Sequence, residues 1–141
     1  MIKVDEIMNR NVVSVRENED IHEAIRILIL NNITGLPVVN EDGAPVGVIT
    51  EKDVLSLLYD MKDKPGTVRD FMTAPVVCFH QDDDLTKVAD SLRENHFRRV
   101  PILDESGRLV GIVSRSDIIR HIRNLKHEDQ ALKDSTLELV F

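Results

Sequence analysis

The amino-acid sequence predicts an α+β fold in which two β-α-β-β-α units pack sheet to sheet around a pseudo-twofold axis. Three observations support this fold class. The sequence repeats itself without a gap, both copies carry the same order of strand and helix patterns, and one copy of about sixty residues makes only a marginal core by itself. We therefore expect two copies of one unit that share an interface.

The repeat becomes visible when Val4 is aligned with Val68 and the same register is kept to the end of the unit. The matched positions include apolar, glycine, proline and acidic residues: Met8 with Met72, Asp20 with Asp84, Pro37 with Pro101, Gly47 with Gly111, and Asp53 with Asp117. We predict that Met8 and Met72 belong to the core. The predicted divisions are a first repeat (1–59), a linker (60–67), a second repeat (68–124) and a C-terminal tail (125–141).

Periodicity predicts the elements of each copy. Helices with an i, i+3, i+4, i+7 apolar pattern begin at Ile21 and Leu85, and Asn31 and Asn95 are suitable stop signals. Two apolar runs flank a glycine-containing turn in each copy, which predicts a β-hairpin followed by a second helix. The predicted strands are 12–15, 36–39 and 46–50, and 76–79, 100–103 and 110–114. The second helices open at Glu51 and Arg115.

The segments outside the repeats are the linker and the tail. The linker is polar and is expected on the surface, and the tail is expected to form a short helix or an arm that packs on a partner chain.

Composition excludes several classes of function. The formal net charge of -7 argues against a nucleic-acid or anionic-membrane binder, and we expect neither partner. No uncharged apolar stretch is long enough to span a bilayer, and the start of the chain has no signal core, so a cytoplasmic protein is expected. Cys78 is the only cysteine, which rules out an internal disulfide. No zinc-ligand spacing, P-loop, or set of nucleophile, base and orienting group is present, so we expect no metal, no required cofactor and no enzyme activity.

One heptapeptide occurs twice where a strand meets a helix, as G-V-I-T-E-K-D (47–53) and G-I-V-S-R-S-D (111–117). Two interpretations stay open. The acid can accept the hydroxyls of a ribose, as the acid of dinucleotide-binding folds does, while the hydroxyl residue holds sugar or phosphate. Alternatively, the [ST]-x-x-[DE] spacing is that of a helix capping box. The two roles are compatible, because a cap residue can also face a cleft.

The segments LPVVNEDGAPVGVITEKDVL (36–55) and VPILDESGRLVGIVSRSDII (100–119) resemble the signature half of the CBS (cystathionine β-synthase) domain, and the pair resembles a Bateman module. The resemblance covers about residues 4–122. It implies adenosine ligands (AMP, ADP, ATP or S-adenosylmethionine) in the clefts between the repeats. It also implies roles for residues at matching positions: ribose contacts by Asp53 and Asp117 with Thr50 and Ser114 beside them, and adenine contacts by Asn11, Val12 and Val13 or by Pro75, Val76 and Val77.

The two copies differ just before the strand proline. The second repeat has Arg98 and Arg99 where the first has Thr34 and Gly35. In relatives that bind phosphate this position often carries basic residues, and paired guanidinium groups suit phosphate oxygens. Thr34 and Gly35 supply no charge, although their backbone can line an adenosine pocket. The alternative is that the arginines pair with surface acids, which contributes about 0–1 kcal/mol.

Charge also differs between the copies. Residues 4–56 carry four basic and ten acidic side chains, whereas the matched window 68–120 carries eight and nine. We therefore predict one good nucleotide site near Arg98, Arg99, Ser114 and Asp117, and a second site that is weaker or empty.

Two functional hypotheses follow. The first is a regulatory sensor that binds an adenosine-type nucleotide, forms a homodimer and acts on an effector protein that the sequence does not identify. The alternative is a structural or interaction CBS pair with degenerate clefts, which dimerises or docks on an effector.

Overall fold

The computed structural model describes the backbone of residues 1–60 and 66–138 and the side chains of residues 1–59 and 66–126. Each repeat holds one three-stranded sheet with a parallel and an antiparallel pair. In the first sheet β1 (Val15–Arg16) is parallel to β2 (Gly35–Val39), which is antiparallel to β3 (Pro45–Thr50). In the second sheet β4 (Phe79–His80), β5 (Arg99–Leu103) and β6 (Leu109–Ser114) repeat this arrangement. The predicted α+β fold of two like units is confirmed.

Helices begin at the four predicted residues, Ile21, Glu51, Leu85 and Arg115; the stretch that opens at Glu51 is divided in two, and the short helices that start at Val4 and Val68 were not predicted. The helices are α1 (Ile21–Asn31), α2 (Glu51–Leu55), α3 (Leu57–Asp60), α4 (Val68–Phe71), α5 (Leu85–Glu94) and α6 (Arg115–Glu138), and a short 3-10 helix covers Val4–Glu6. Asp20 begins α1 by accepting a hydrogen bond from the His22 amide at 2.8 Å. Asn32, with φ of 50°, ends α1 in the left-handed conformation that asparagine tolerates, one residue after the predicted stop signal. Asn95 follows α5 as predicted.

Two expectations differ from the structure. The first strand of each repeat is shorter and begins later than predicted: β1 starts at Val15 and β4 at Phe79, because only these last residues of the apolar runs reach a partner strand. Residues 125–138 of the predicted tail continue α6 instead of forming a separate short helix. Residues 139–141, and residues 61–65 of the predicted linker, lie outside the described part of the chain. Within residues 1–60 and 66–138, no helix combines the length and apolar character needed to cross a bilayer.

The segment that precedes the first strand of each repeat packs on the other repeat. Val4 and Met8 are buried in the core that is otherwise formed by the second repeat. The Val4 amide donates to the Asp83 carbonyl at 2.9 Å, which ties the start of the chain to that repeat. In the reciprocal arrangement, Val68 is fully buried in the core of the first repeat and Met72 packs against it. Both methionines thus belong to the cores, as predicted, but each lies in the core of the opposite repeat.

The glycines of the two heptapeptides permit this exchange. A Cβ atom on Gly47 would lie 2.8 Å from the Thr73 carbonyl oxygen and 2.8 Å from Met72 Sδ, and a Cβ atom on Gly111 would lie 2.5 Å from Met8 Sδ. We call residues 4–9 and 68–73 the exchanged segments. The segment 68–73 runs directly against the backbone of β3, and the segment 4–9 against that of β6. This close approach explains why the heptapeptide starts with glycine in both copies.

We expect Gly47→Ala to destabilise the protein by about 1–3 kcal/mol, because its clash is with a backbone oxygen that cannot turn aside. Gly111→Ala should cost less, since the Met8 side chain can rotate away. Urea unfolding of the two variants tests this order. The variant Gly111→Ala with Met8→Ala should be more stable than the sum of the single effects predicts, because the second change removes the clash. A Gly47→Ala protein as stable as the unaltered chain would contradict the argument.

Candidate functional site

Two open clefts lie between the repeats, each named here after its heptapeptide hydroxyl residue. The Thr50 cleft has a volume of about 630 Å³ and is lined by Thr34, Gly35, Leu36, Pro37, Val48, Thr50, Glu51, Lys52, Thr73, Pro75, Val76, Val77, His96, Phe97, Arg98, Arg99, Pro101 and Ile112. The Ser114 cleft has a volume of about 550 Å³ and is lined by Asn9, Thr34, Arg98, Arg99, Ile112, Ser114, Arg115, Ser116 and Asp117. Both volumes are within the range of small-molecule sites.

The wall of the Thr50 cleft is largely apolar. Pro75, Val76 and Val77, which lead from the exchanged segment into β4, lie on one side, and the side chain of Val77 is 47% exposed. A flat apolar ring can bury its faces against such a wall. The matched residues Asn11, Val12 and Val13 are not among the described residues that line the Ser114 cleft; Val13 packs instead against the core of the first repeat. Adenine contacts by these three residues stay a prediction.

The structure shows that the first heptapeptide does cap a helix. Asp53 Oδ2 accepts hydrogen bonds from the Thr50 amide at 2.9 Å and from the Thr50 hydroxyl at 3.0 Å, and the Asp53 amide donates to Thr50 Oγ1 at 3.3 Å. The second carboxylate oxygen, Oδ1, accepts from the Thr73 hydroxyl at 3.1 Å. Thr73 lines the Thr50 cleft and is exposed. Asp53 itself is not among the described residues that line the Thr50 cleft; the Thr73 hydroxyl connects its second carboxylate oxygen to the cleft wall.

The second heptapeptide has the same cap with a different outer partner. Asp117 Oδ2 accepts from the Ser114 amide at 2.8 Å, and the Asp117 amide donates to Ser114 Oγ at 3.1 Å. Asp117 Oδ1 is paired with Arg120, one turn along α6, at 2.5 Å. The Arg120 side chain is 67% exposed, so water screens this ion pair. In both heptapeptides, one carboxylate oxygen holds the helix start and the other bonds to an exposed side chain, but of the two aspartates only Asp117 is among the described residues that line a cleft.

Arg98 and Arg99 lie at the seam between the clefts and line both of them. The expectation that placed them with Ser114 and Asp117 is therefore incomplete. The seam forms because the start of β5 meets the start of β2: Arg99 Nη2 donates to Thr34 Oγ1 at 3.2 Å. Thr34, which the repeat alignment matches with Arg98, thus lies beside Arg99, so corresponding segments of the two repeats meet with one neutral and one charged residue.

Other reactive or metal-binding groups are few. Burial raises the pKa of the Cys78 thiol, which keeps it protonated near neutral pH and makes it a poor nucleophile. Among the described side chains, no three His, Cys, Asp or Glu residues are grouped so as to hold a metal ion. His96 lines the Thr50 cleft near the arginines.

Several cleft residues were not predicted from the sequence. Thr73 and Asn9 occupy matched positions in the exchanged segments and line opposite clefts. Phe97 and Ile112 add apolar surface to the Thr50 cleft, and Ile112 also lines the Ser114 cleft. The sequence contained one signal for Thr73 and Asn9, since each comes directly after one of the two matched methionines.

Comparison with protein families decides the identity of the fold. The model of the CBS domain matches twice, over residues 4–60 and 68–124. The chain belongs to the CBS domain family. Its two repeats are a CBS pair, and CBS pairs are regulatory modules.

Solved CBS pairs share this arrangement. CBSX2 of Arabidopsis thaliana, in a crystal structure with AMP, has a TM-score of 0.79 and 28% identity over 89% of this chain and 99% of that one. The CBS pair of protein MJ0100, in complex with 5'-methylthioadenosine and S-adenosylmethionine, has a TM-score of 0.75 and 33% identity over 88% and 98%. Both structures hold adenosine-type ligands.

Curated relatives include "Uncharacterized protein MJ1225" of Methanocaldococcus jannaschii, 39% identical over 83% of this chain and 41% of the relative. The inosine-5'-monophosphate dehydrogenase of the same organism is 35% identical over 84% of this chain and 23% of that enzyme. The chain therefore spans less than half the length of these two relatives. "Uncharacterized protein MJ1426" is 30% identical over 82% of this chain and 88% of the relative.

Proposed function

We propose that this CBS pair is a non-catalytic sensor that binds an adenosine-type nucleotide, among AMP, ADP, ATP and S-adenosylmethionine, in the clefts between its repeats. The observation that supports this most is the Thr50 cleft. Its lining joins an apolar wall, the hydroxyl residues Thr50 and Thr73, which both bond to the Asp53 carboxylate, and two guanidinium groups. These three parts suit adenine, ribose and phosphate respectively.

Each part of the ligand has a place in this proposal. Adenine lies against Pro75, Val76 and Val77, with the backbone at Thr34 and Gly35 opposite. The ribose hydroxyls replace the Thr73 hydroxyl on Asp53 Oδ1. The phosphate reaches the seam, where Arg98 and Arg99 donate charge-assisted hydrogen bonds. The Ser114 cleft offers Ser114, Asp117 and the same arginines, with less apolar surface in its wall.

The charges at the seam favour ligands with phosphate. A phosphate monoester carries about -1.5 to -2 charges at pH 7, which two guanidinium groups attract. S-adenosylmethionine carries a cationic sulfonium group, which the arginines repel. Among the four adenosine ligands, we therefore rank the phosphate-bearing nucleotides above S-adenosylmethionine.

Regulation follows from the position of the clefts. A nucleotide that touches both repeats stabilises the relative orientation it binds best, and so shifts the population of conformations. We propose that this signal passes through a homodimer to an effector protein in the cytoplasm. Apolar side chains that are exposed on α2, α3 and α6 support an interface there: Leu55, Leu58, Tyr59, Ile119 and Ile122. The rival proposal, a CBS pair that only docks on an effector, draws support from the capping bonds that already engage both aspartates.

A thermal-shift panel with AMP, ADP, ATP and S-adenosylmethionine tests the sensor. A ligand at 100 times its dissociation constant adds about 2.7 kcal/mol to the free energy of unfolding. We expect AMP to stabilise the protein, and Asp53→Asn and Asp117→Asn each to reduce the effect, because asparagine keeps the oxygen that caps the helix but removes the charge that accepts the ribose hydroxyls.

Asp70→Asn is the matched control. Asp70 forms the same kind of cap with Thr67, with the Thr67 amide at 2.9 Å, and neither residue lines either cleft. This variant should respond to AMP like the unaltered protein. If none of the four ligands raises the melting temperature, the docking proposal replaces the sensor.

A further inference from the structure

The two clefts share the seam that carries their arginines. Four residues line both cavities: Thr34, Arg98, Arg99 and Ile112. Two of these four are cationic, and both come from the second repeat. The first repeat has the neutral Thr34 and Gly35 at the matched positions, so the seam holds one pair of guanidinium groups for two clefts.

The other Lys and Arg side chains among the described lining residues, Lys52 and Arg115, each line one cleft only. Arg115 Nη2 donates to the carbonyl oxygens of Leu92 at 3.0 Å and Asn95 at 2.8 Å, which directs its guanidinium towards α5. Lys52 lines the Thr50 cleft next to Glu51. The shared arginines are therefore the common source of positive charge for a phosphate in either cleft.

Their present contacts leave the arginines able to turn to either side. Arg98 is exposed, and among the described side chains Arg99 bonds to the neutral Thr34 across the seam. A phosphate in the Thr50 cleft would draw both side chains to that side. A second phosphate in the Ser114 cleft would then meet a seam without free donors, and it would also lie close to the first phosphate, which repels it.

From this geometry we infer that the two clefts bind phosphate-bearing nucleotides with negative cooperativity, whereas uncharged adenosine occupies them independently. The inference rests on the proposed function, since it concerns the same clefts and the same class of ligand. Each chain then holds one nucleotide phosphate tightly, and its second cleft stays open to an adenosine ligand without phosphate. The coupling is reciprocal, so either cleft weakens the other by the same factor.

Isothermal titration calorimetry with AMP and with adenosine tests this. Two clefts of unequal intrinsic affinity also give two binding steps, so the decisive comparison uses variants in which one cleft is disabled, Asp53→Asn or Asp117→Asn. We expect the second AMP step of the unaltered protein to be weaker than AMP binding to that same cleft when the other cleft is disabled. The difference should be within about 5- to 150-fold, the usual range of coupling between sites. For adenosine, the same comparison should give equal affinities.

The outcomes separate this inference from the proposed function. If disabling either cleft leaves the affinity of the other for AMP unchanged, the coupling is wrong while nucleotide binding stands. A single equivalent of adenosine per chain also overturns it, because phosphate charge then does not set the limit. If neither AMP nor adenosine binds the unaltered protein, the proposed function fails together with the inference.

Discussion

Replacing Arg98 and Arg99 together by alanine is expected to weaken AMP binding by about 100-fold or more and to leave adenosine binding nearly unchanged. A hydrogen bond to a charged group contributes about 1.5–3 kcal/mol, and 1.4 kcal/mol corresponds to a factor of ten in affinity. Two such groups therefore account for at least two powers of ten. Adenosine has no phosphate, so it loses only weak contacts with the arginine side chains.

The change should cost little stability. Among the described residues, the side-chain hydrogen bond of this pair joins Arg99 to Thr34, which is exposed and can bond to water instead. Arg93→Ala with Arg108→Ala is the matched control, because it removes the same charge from exposed positions outside both clefts. This control should lower AMP affinity only slightly. An equal loss for AMP and adenosine in the Arg98 and Arg99 variant would show that the arginines contact the nucleoside and not the phosphate.

Val4→Asp is expected to destabilise the second repeat, although Val4 belongs to the first repeat in sequence. Its side chain is fully buried in the second core, and an unpaired carboxylate there costs at least about 3 kcal/mol. The chain can avoid this cost only by releasing the exchanged segment, which also withdraws Met8 from the same core. Either response weakens the packing under β5 and β6.

The matched variant Val68→Asp should have the opposite pattern, because Val68 is fully buried in the first core. Native-state hydrogen exchange distinguishes the two. Val4→Asp should first lower the protection of amides in β5 and β6, and Val68→Asp that of amides in β2 and β3. If Val4→Asp lowers protection in the first repeat first, the exchange of segments is contradicted.

Local patterns explain why most of the fold could be predicted from the sequence. The hairpins and the helices α1 and α5 are encoded by neighbouring residues: alternating apolar runs around a glycine turn, and an apolar stripe with an asparagine at its end. The first strands were predicted too long because their apolar character serves core contacts as well as pairing, and only Val15 and Phe79 do both among the apolar residues of these runs. The exchanged segments could not be predicted, since Val4 finds its partners about eighty residues away, for example at Asp83.

The candidate site was predictable in part but not in its arrangement: Thr73, Asn9, Phe97 and Ile112 line the clefts without having been predicted, and Asn11, Val12, Val13 and Asp53 are not among the described lining residues. The heptapeptide placed Thr50 and Ser114 at the starts of helices, and the structure puts them in the cleft walls. The difference between Thr34 and Arg98 was also visible in the aligned repeats. Sequence comparison could not show that these matched positions meet at one seam, because that contact depends on how two separate sheets pack. The sharing of the arginines is a property of the interface.

The reciprocal exchange of segments has a consequence for how such a chain can arise. A single repeat would leave the backbone beside Gly47 or Gly111 uncovered, because the segment that packs there leads into the other repeat's sheet. An ancestor with one repeat would thus have gained stability by pairing with a second molecule and exchanging leading segments with it. Joining two copies of the gene end to end would then have kept this exchange within one chain. Later substitutions could place arginines in one repeat and leave the matched positions of the other repeat neutral.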